Sequence, residues 1–236
     1  MDRRLIFALN EARGARRPAI LITDIASGDA HIVNEAECAD PSLREAIAAA
    51  LLSGKSGLVE AADKTYFLNV HVPPARLVVI GAVHISQTLA PMARLAGFDV
   101  TIIDPRTAFA TAERFEGTRL VADWPEDALR TQPLDMFTAV AAVTHDPKID
   151  DHALQAALTA NCFYVGALGS RKTHARRIDR LREAGVGDAA IDRIAAPIGL
   201  DIGAASPAEI AVAVLAEIIA ALRKRTLTQN LGEMAA

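Results

Sequence analysis

The sequence predicts an α/β fold: a doubly wound parallel sheet in the C-terminal part and a small α+β domain at the N-terminus. Three observations carry this expectation. Downstream of Ala75, short and nearly continuous apolar runs alternate with stretches of helical spacing, the pattern of parallel strands covered on both faces. The first of those runs ends in the turn Gly81-Ala82-Val83-His84-Ile85-Ser86, placed between a strand and a helix, which makes the C-terminal sheet Rossmann-like. Hydrophobic residues make up 51% of the chain but aromatics only 4%, so aliphatic side chains must fill the interior, as they do where helices pack on a parallel sheet.

The N-terminal domain is read over residues 1–72. Ala19–Asp24 and Ala30–Val33 are expected strands, joined through Ser27-Gly28-Asp29 as a hairpin. Asp40-Pro41-Ser42 opens a helix that runs to about Leu52 and ends in the segment 54–57. Tyr66–Val70 is a third strand. The break comes at His71-Val-Pro-Pro-Ala75, where adjacent prolines forbid continued helix and stiffen the chain.

The Rossmann-like domain is read over residues 76–225. Leu77–Ile80 is the first strand and Ile85–Ala96 the first helix. Val100–Ile103 is a strand, Thr111–Phe115 a short helix, and Arg119–Ala122 a weaker strand. Ala139–Val143, a helix over Asp151–Thr159 and Phe163–Val165 follow, then the helix Lys172–Ala184 and the closing helix Pro207–Arg223. Ser206-Pro207-Ala208-Glu209 forms a capping box with proline at the first helical position. Residues 226–236 are expected to be a frayed tail.

Charge and composition exclude several classes of function. A net charge of −4, from 25 basic and 29 acidic residues, gives no general attraction to nucleic acid or to anionic lipid. No apolar run approaches the 18 residues or so of a membrane helix, and the first residues lack a signal-peptide pattern. Cys38 and Cys162 match no metal-ligand spacing, and a reduced, cytoplasmic chain is expected rather than a disulfide-bonded one. His31, His71 and His152 are isolated, and no zinc set is present.

Ligands of an open doubly wound sheet lie outside the carboxyl ends of its strands, where the strand order reverses. With order 3-2-1-4-5 that crevice falls between the first and fourth strands, and four loops and the end of the second strand supply its candidates. The first turn offers Gly81, Val83 and His84, and Asp104 lies twenty-three residues after Gly81, where a ribose-binding acid belongs. Val83 stands where the second glycine of the fingerprint would let backbone approach a pyrophosphate. The fourth strand ends in Thr144-His145-Asp146-Pro147-Lys148, which could serve an anionic ligand or acid/base chemistry, or simply start the next helix.

The fifth strand leads into Gly166-Ala167-Leu168-Gly169-Ser170-Arg171-Lys172, where a helix N-terminus and two cations favour an anion. Arg176, Arg177 and Arg180, further along that helix, read as a solvated basic face. The last loop places Gly199 and Asp201 either at a ligand or in a tight turn.

Four segments carry a resemblance to a known family: LVVIGAVHISQTLAPMARLAGFDVTIIDPR, THDPKIDD, FYVGALGSRKTH and APIGLDIGAASPAEIAVAVLAEI. Together they resemble the XdhC/CoxI family of accessory proteins for molybdenum hydroxylases such as xanthine dehydrogenase and carbon monoxide dehydrogenase. The resemblance implies a maturation chaperone that binds the pyranopterin molybdenum cofactor, in mononucleotide or dinucleotide form or without a nucleotide. It implies protection of the cofactor during sulfuration by a cysteine desulfurase and transfer to the apo molybdenum hydroxylase.

Two features depart from the family pattern. Val83 replaces the second glycine of the usual Gly-Ala-Gly-His turn, and Cys38 lies in Glu-Ala-Glu-Cys-Ala-Asp rather than in a glycine-rich cysteine motif. Two competing readings remain. One is an NAD(P)-dependent oxidoreductase with Asp104 on the ribose and His84 or His145 as acid/base. The other is a cofactor-free docking scaffold. A homodimer is expected from the prevalence of two-fold homo-oligomers.

Overall fold

Residues 2–33 and 41–224 are described in the computed structural model of the chain. They divide into two compact units, the first reaching Pro73 and the second running from Pro74 to Leu222. Cys38 and the tail 226–236 lie outside the described residues.

In the first unit, helix α1 (Arg3–Gly14) precedes strands β1 (Ala19–Asp24) and β2 (Ala30–Val33). Helix α2 (Arg44–Ser53) is followed by β3 (Gly57–Ala61) and β4 (Lys64–His71). The four strands form an antiparallel sheet in the order β2-β1-β4-β3. The expected hairpin is present, and its turn is held by Asp24, whose Oδ1 accepts from Ala26 N and Ser27 N at 2.8 and 3.1 Å. Helix α1 and strand β3 are additions to the expected elements. Asp2 caps α1 by accepting from Arg4 N, and Leu9 and Ala12 bury one side of the helix.

The second unit is built on six parallel strands. These are β5 (Arg76–Ile80), β6 (Asp99–Ile103), β7 (Arg119–Val121), β8 (Thr138–Ala142), β9 (Tyr164–Ala167) and β10 (Ile194–Ala195). Their order is β10-β9-β8-β5-β6-β7, so the strand order reverses between β5 and β8, as expected for the doubly wound arrangement. Helices α3 (His84–Leu95), α4 (Pro125–Thr131), α5 (Pro147–Thr159), α6 (Arg171–Glu183), α7 (Asp188–Ile191) and α8 (Pro207–Lys224) complete the unit.

Strand alternation divides the core in two. Leu77 and Val79 face α3 and α8, through Leu89, Ala93, Val214 and Ile218. Val78 and Ile80 face α4, α5 and α6, through Leu129, Leu154, Leu158 and Leu181.

The segment Thr111–Phe115 corrects the expected short helix. It forms successive tight turns, with Arg114 N bonded to Thr111 O and Phe115 N to Ala112 O. Arg114 also donates to Phe109 O and to Gln87 Oε1, which pins the turns in place of a helical ladder.

Candidate functional site

All six strands run parallel, so every loop that follows a strand leaves from one edge of the sheet. Gly81 follows β5 there with φ of 122°. A Cβ on it would meet Thr144 Cγ2 at 2.7 Å, so the first and fourth strand ends are in contact and only glycine fits between them. Val83 is half-buried and stands as N-cap of α3 without a side-chain cap, and His84, the first helical residue, is exposed. Ser86, at the third position of the fingerprint, is buried and donates its hydroxyl to Gly81 O at 2.6 Å. The side chain thus tightens the turn that a third glycine would otherwise allow to pack.

Asp104 is completely buried beneath that turn. Its Oδ2 accepts from Ala82 N and Arg106 Nη2, both at 2.7 Å. Its Oδ1 accepts from Arg106 N and Arg106 Nε, both at 2.9 Å. Burial alone would raise its pKa, but the Arg106 pairing and the backbone donors outweigh that and hold the carboxyl below its ordinary value. A carboxylate has about four acceptor positions, and here the chain itself occupies them. The acid at the ribose position braces the crevice floor.

The loop after β8 gives a different result at each residue. Thr144 donates its hydroxyl to Asp150 Oδ1 at 2.7 Å and accepts from Asp146 N at 3.0 Å. Asp146 caps α5, its Oδ1 accepting from Lys148 N at 3.0 Å, which is the helix-starting role that the sequence also allowed. Lys148 is exposed. His145 is exposed and held at φ 65°, a left-handed conformation rare outside glycine but several-fold enriched for histidine.

The loops after β9 and β10 divide in the same way. Gly169 has φ 140°, and Ser170 caps α6 by accepting from Thr173 N, which leaves Arg171 and Lys172 exposed on the first turn of the helix. Gly166, by contrast, is interior. A Cβ there would lie 2.5 Å from the Tyr164 hydroxyl and 2.7 Å from Ile198. Tyr164 donates to Glu217 Oε2 at 2.6 Å, and Gly199 N donates to the same oxygen at 2.8 Å. Gly199, at φ 95°, lies against the backbone of α8, where its Cβ would be 3.1 Å from Val214 N. Close packing therefore accounts for Gly166 and Gly199, and Asp201 is exposed.

Sequence reasoning missed two residues. Asp150 is 1% exposed, and burial pushes its carboxyl up to about 6 despite the Thr144 hydrogen bonds. Arg177, read as part of a solvated face, is 2% exposed and donates Nη2 to Leu168 O at 2.9 Å. Arg180 does face outward in part, but its guanidinium is paired with Asp151. The overlooked signal lay in helical spacing. Asp150 shares a buried stripe with Ala153, Leu154 and Ala157, and Arg177 falls one turn before buried Leu181. A cavity of about 210 Å³ lies between these helices, with His145, Asp150, Thr173 and Arg177 in its wall.

Among the described residues no group of His, Cys, Asp and Glu is arranged to hold a metal ion. Cys162 is buried and its thiol is pushed up to about 12 by desolvation, so it offers no thiolate. Among the described residues no helix is long and apolar enough to cross a membrane.

Comparison with known proteins places this geometry. Residues 77–218 match the family model of the XdhC Rossmann domain. The chain is 35% identical over 154 residues to a probable xanthine dehydrogenase subunit of Bacillus subtilis (strain 168), covering 65% of this chain and 44% of that protein. It is 33% identical over 146 residues to the molybdenum cofactor insertion chaperone PaoD of Escherichia coli (strain K12), covering 62% and 40%. YqeB of the same strain, described as uncharacterized, is 34% identical over 165 residues, covering 65% and 28%. The match thus spans less than half the length of each of these relatives. A crystal structure of a xanthine dehydrogenase from Bacillus halodurans shares the fold at TM-score 0.65 and 21% identity, over 99% of this chain and 68% of that one. The motif-bearing strand ends and the matched span coincide: this chain belongs to the XdhC family.

Proposed function

We infer that the chain is an accessory factor for a molybdenum hydroxylase, binding the molybdenum cofactor at the C-terminal rim of its parallel sheet. In this reading it assists sulfuration of the cofactor and its insertion into the apo-enzyme. The observation that carries the reading is the rim itself: an XdhC Rossmann domain whose first-turn His84, exposed His145 and basic first turn of α6 leave from one sheet edge. The names of two relatives, a molybdenum cofactor insertion chaperone and a probable xanthine dehydrogenase subunit, support the same role.

The residues present suit the phosphorylated organic part of such a cofactor. Arg171, Lys172 and the free N–H groups at the start of α6 are fit to hold phosphate oxygens. When bound, the cofactor would supply the molybdenum centre that the client enzyme uses. Cys162 is buried and presents no exposed thiol, and in this reading a partner cysteine desulfurase delivers the sulfur as a persulfide. A nicotinamide reading gains no support from Asp104, whose acceptor positions are filled.

Arg171→Ala and His145→Ala, both at exposed positions, are expected to lower cofactor retention about tenfold each, the effect of losing one charge-assisted hydrogen bond. Circular dichroism should stay unchanged. Pterin content of the purified full chain after gel filtration reads the result, and wild-type retention in both variants would place the site elsewhere. Co-purification with the tagged chain should bring down a large molybdenum hydroxylase. Turnover of NAD(H) or NADP(H) by the purified chain would overturn the reading.

A further inference from the structure

The cavity between α5 and α6 is lined by two side chains, Asp150 and Arg177, whose buried polar atoms the fold leaves without partners. Asp150 Oδ2, Arg177 Nε and Arg177 Nη1 are all buried, and none has a hydrogen-bond partner. Both side chains are at least nine-tenths buried and both line the cavity. Native proteins rarely leave such groups unsatisfied, and Arg177 has only the through-space attraction of Asp150 and Asp151, with no carboxylate hydrogen-bonded to it. Here one wall carries a carboxylate oxygen able to accept and the other carries guanidinium N–H groups able to donate. Arg176, exposed at the mouth, and Thr173 add further donors.

A ligand that completes this set must present acceptors to Arg177 and a donor to Asp150 at once. Hydrogen phosphate does so: it carries anionic P–O acceptors and a P–O–H. Sulfate at neutral pH has acceptors only. A volume of about 210 Å³ has room for a tetrahedral anion and several waters at about 30 Å³ each.

We propose that the α5–α6 cavity is a binding site for a protonated tetrahedral oxyanion, hydrogen phosphate or the head of a phosphate monoester. Arg177 and Arg176 take its anionic oxygens, and Asp150 Oδ2 takes its P–O–H. Thr144 orients Asp150 by occupying Oδ1, and the carbonyl of Leu168 orients Arg177 through Nη2. Asp150 is therefore the element that selects phosphate over sulfate. The site does not depend on the proposed cofactor, because inorganic phosphate alone tests it.

The full chain is titrated calorimetrically at pH 8 with inorganic phosphate and, separately, with sulfate. Phosphate is expected to bind saturably and sulfate at least about tenfold more weakly, as the loss of one hydrogen bond to a charged group predicts. Asp150→Asn replaces the accepting oxygen by a donor, so phosphate should weaken, sulfate should strengthen and the ratio should fall towards one. Arg177→Met should abolish both. Since Arg177 is buried, Arg176→Ala at the exposed mouth gives the independent check and should weaken both several-fold with an unchanged circular dichroism spectrum.

Glycerol 3-phosphate and inorganic phosphate, compared at pH 7 where Asp150 keeps its charge and part of the monoester its proton, separate the two sources by which binds tighter, and a dimethyl phosphate control should not bind. No binding of inorganic phosphate, equal affinity for sulfate, or a phosphate-to-sulfate ratio untouched by Asp150→Asn would each overturn the proposal. None of these results bears on pterin retention by the Arg171 variant, so the two readings fail separately.

Discussion

Gly166→Ala is expected to destabilise the six-stranded unit by about 3 kcal/mol and to lower its melting temperature by about 6–12 °C. The methyl group would meet the Tyr164 hydroxyl at 2.5 Å and Ile198 side-chain atoms at 2.7 and 2.8 Å. Neither side can yield cheaply. Gly166 is paired to Ala141 on one flank and to Ala195 on the other, so the strand is held from both directions. Tyr164 is fixed through Glu217, which also accepts from Gly199 N, and Gly199 in turn is wedged against α8. Turning the ring away breaks a part-buried hydrogen bond to a carboxylate, a loss of about 1.5–3 kcal/mol.

Thermal unfolding followed by circular dichroism measures the effect. Tyr164→Phe in the Gly166→Ala background should recover part of the loss, because the nearest obstructing atom is gone, although it destabilises the wild-type chain on its own. A Gly166→Ala chain melting within about 2 °C of wild type would show that the strand end has slack and would make this glycine a ligand contact again.

What the sequence made legible follows from which physical signals are local. The parallel sheet could be read because buried strands are continuous apolar runs, and the strand order followed from the turn at Gly81–Ser86. Once the order was known, the edge carrying Thr144, Ser170 and Gly199 was known too, since parallel strands share one carboxyl end. The elements that escaped lack local signatures. Strand β3 joins β4 through Ala62 and Asp63, both at positive φ, with no glycine or asparagine to announce the turn. Strand β10 is two residues long and exists through its pairing with β9.

The candidate site was legible only as backbone. Gly81, Ser170 and Asp146 could be placed from turn and cap chemistry. Whether a charged side chain turns inward depends on what packs against it, and the interior positions of Asp150 and Arg177 are set by contacts between α5 and α6. Their types suggested solvent, while their helical spacing with Leu154 and Leu181 pointed inward.

Asp104→Ala carries the other large expected effect, about 3–5 kcal/mol of lost stability at pH 7. The substitution removes a buried carboxylate and strands the partners gathered on it: the Ala82 amide, the Arg106 amide and the Arg106 guanidinium. Arg106 is also stacked on Phe109, with its guanidinium carbon 4.9 Å from the ring centre, so it cannot leave freely for water. The pH dependence has a definite sign. Because the folded carboxyl lies below its ordinary value, its contribution is complete above the unfolded pKa of about 3.9 and is lost as pH falls through the lower folded value. Urea unfolding of both chains should therefore show a constant gap at pH 7 and pH 6 that narrows below about pH 4.

The experiment also separates two roles for this acid. A carboxylate kept for a ribose would be costly to a ligand and nearly neutral to the fold when removed. A carboxylate that clamps the first turn to the second strand end must show its loss in the unfolding midpoint with no ligand in the cell. If Asp104→Ala shifts the midpoint by less than the equivalent of about 1 kcal/mol, the clamp is not what holds Ala82 in place, and the ribose role regains its standing.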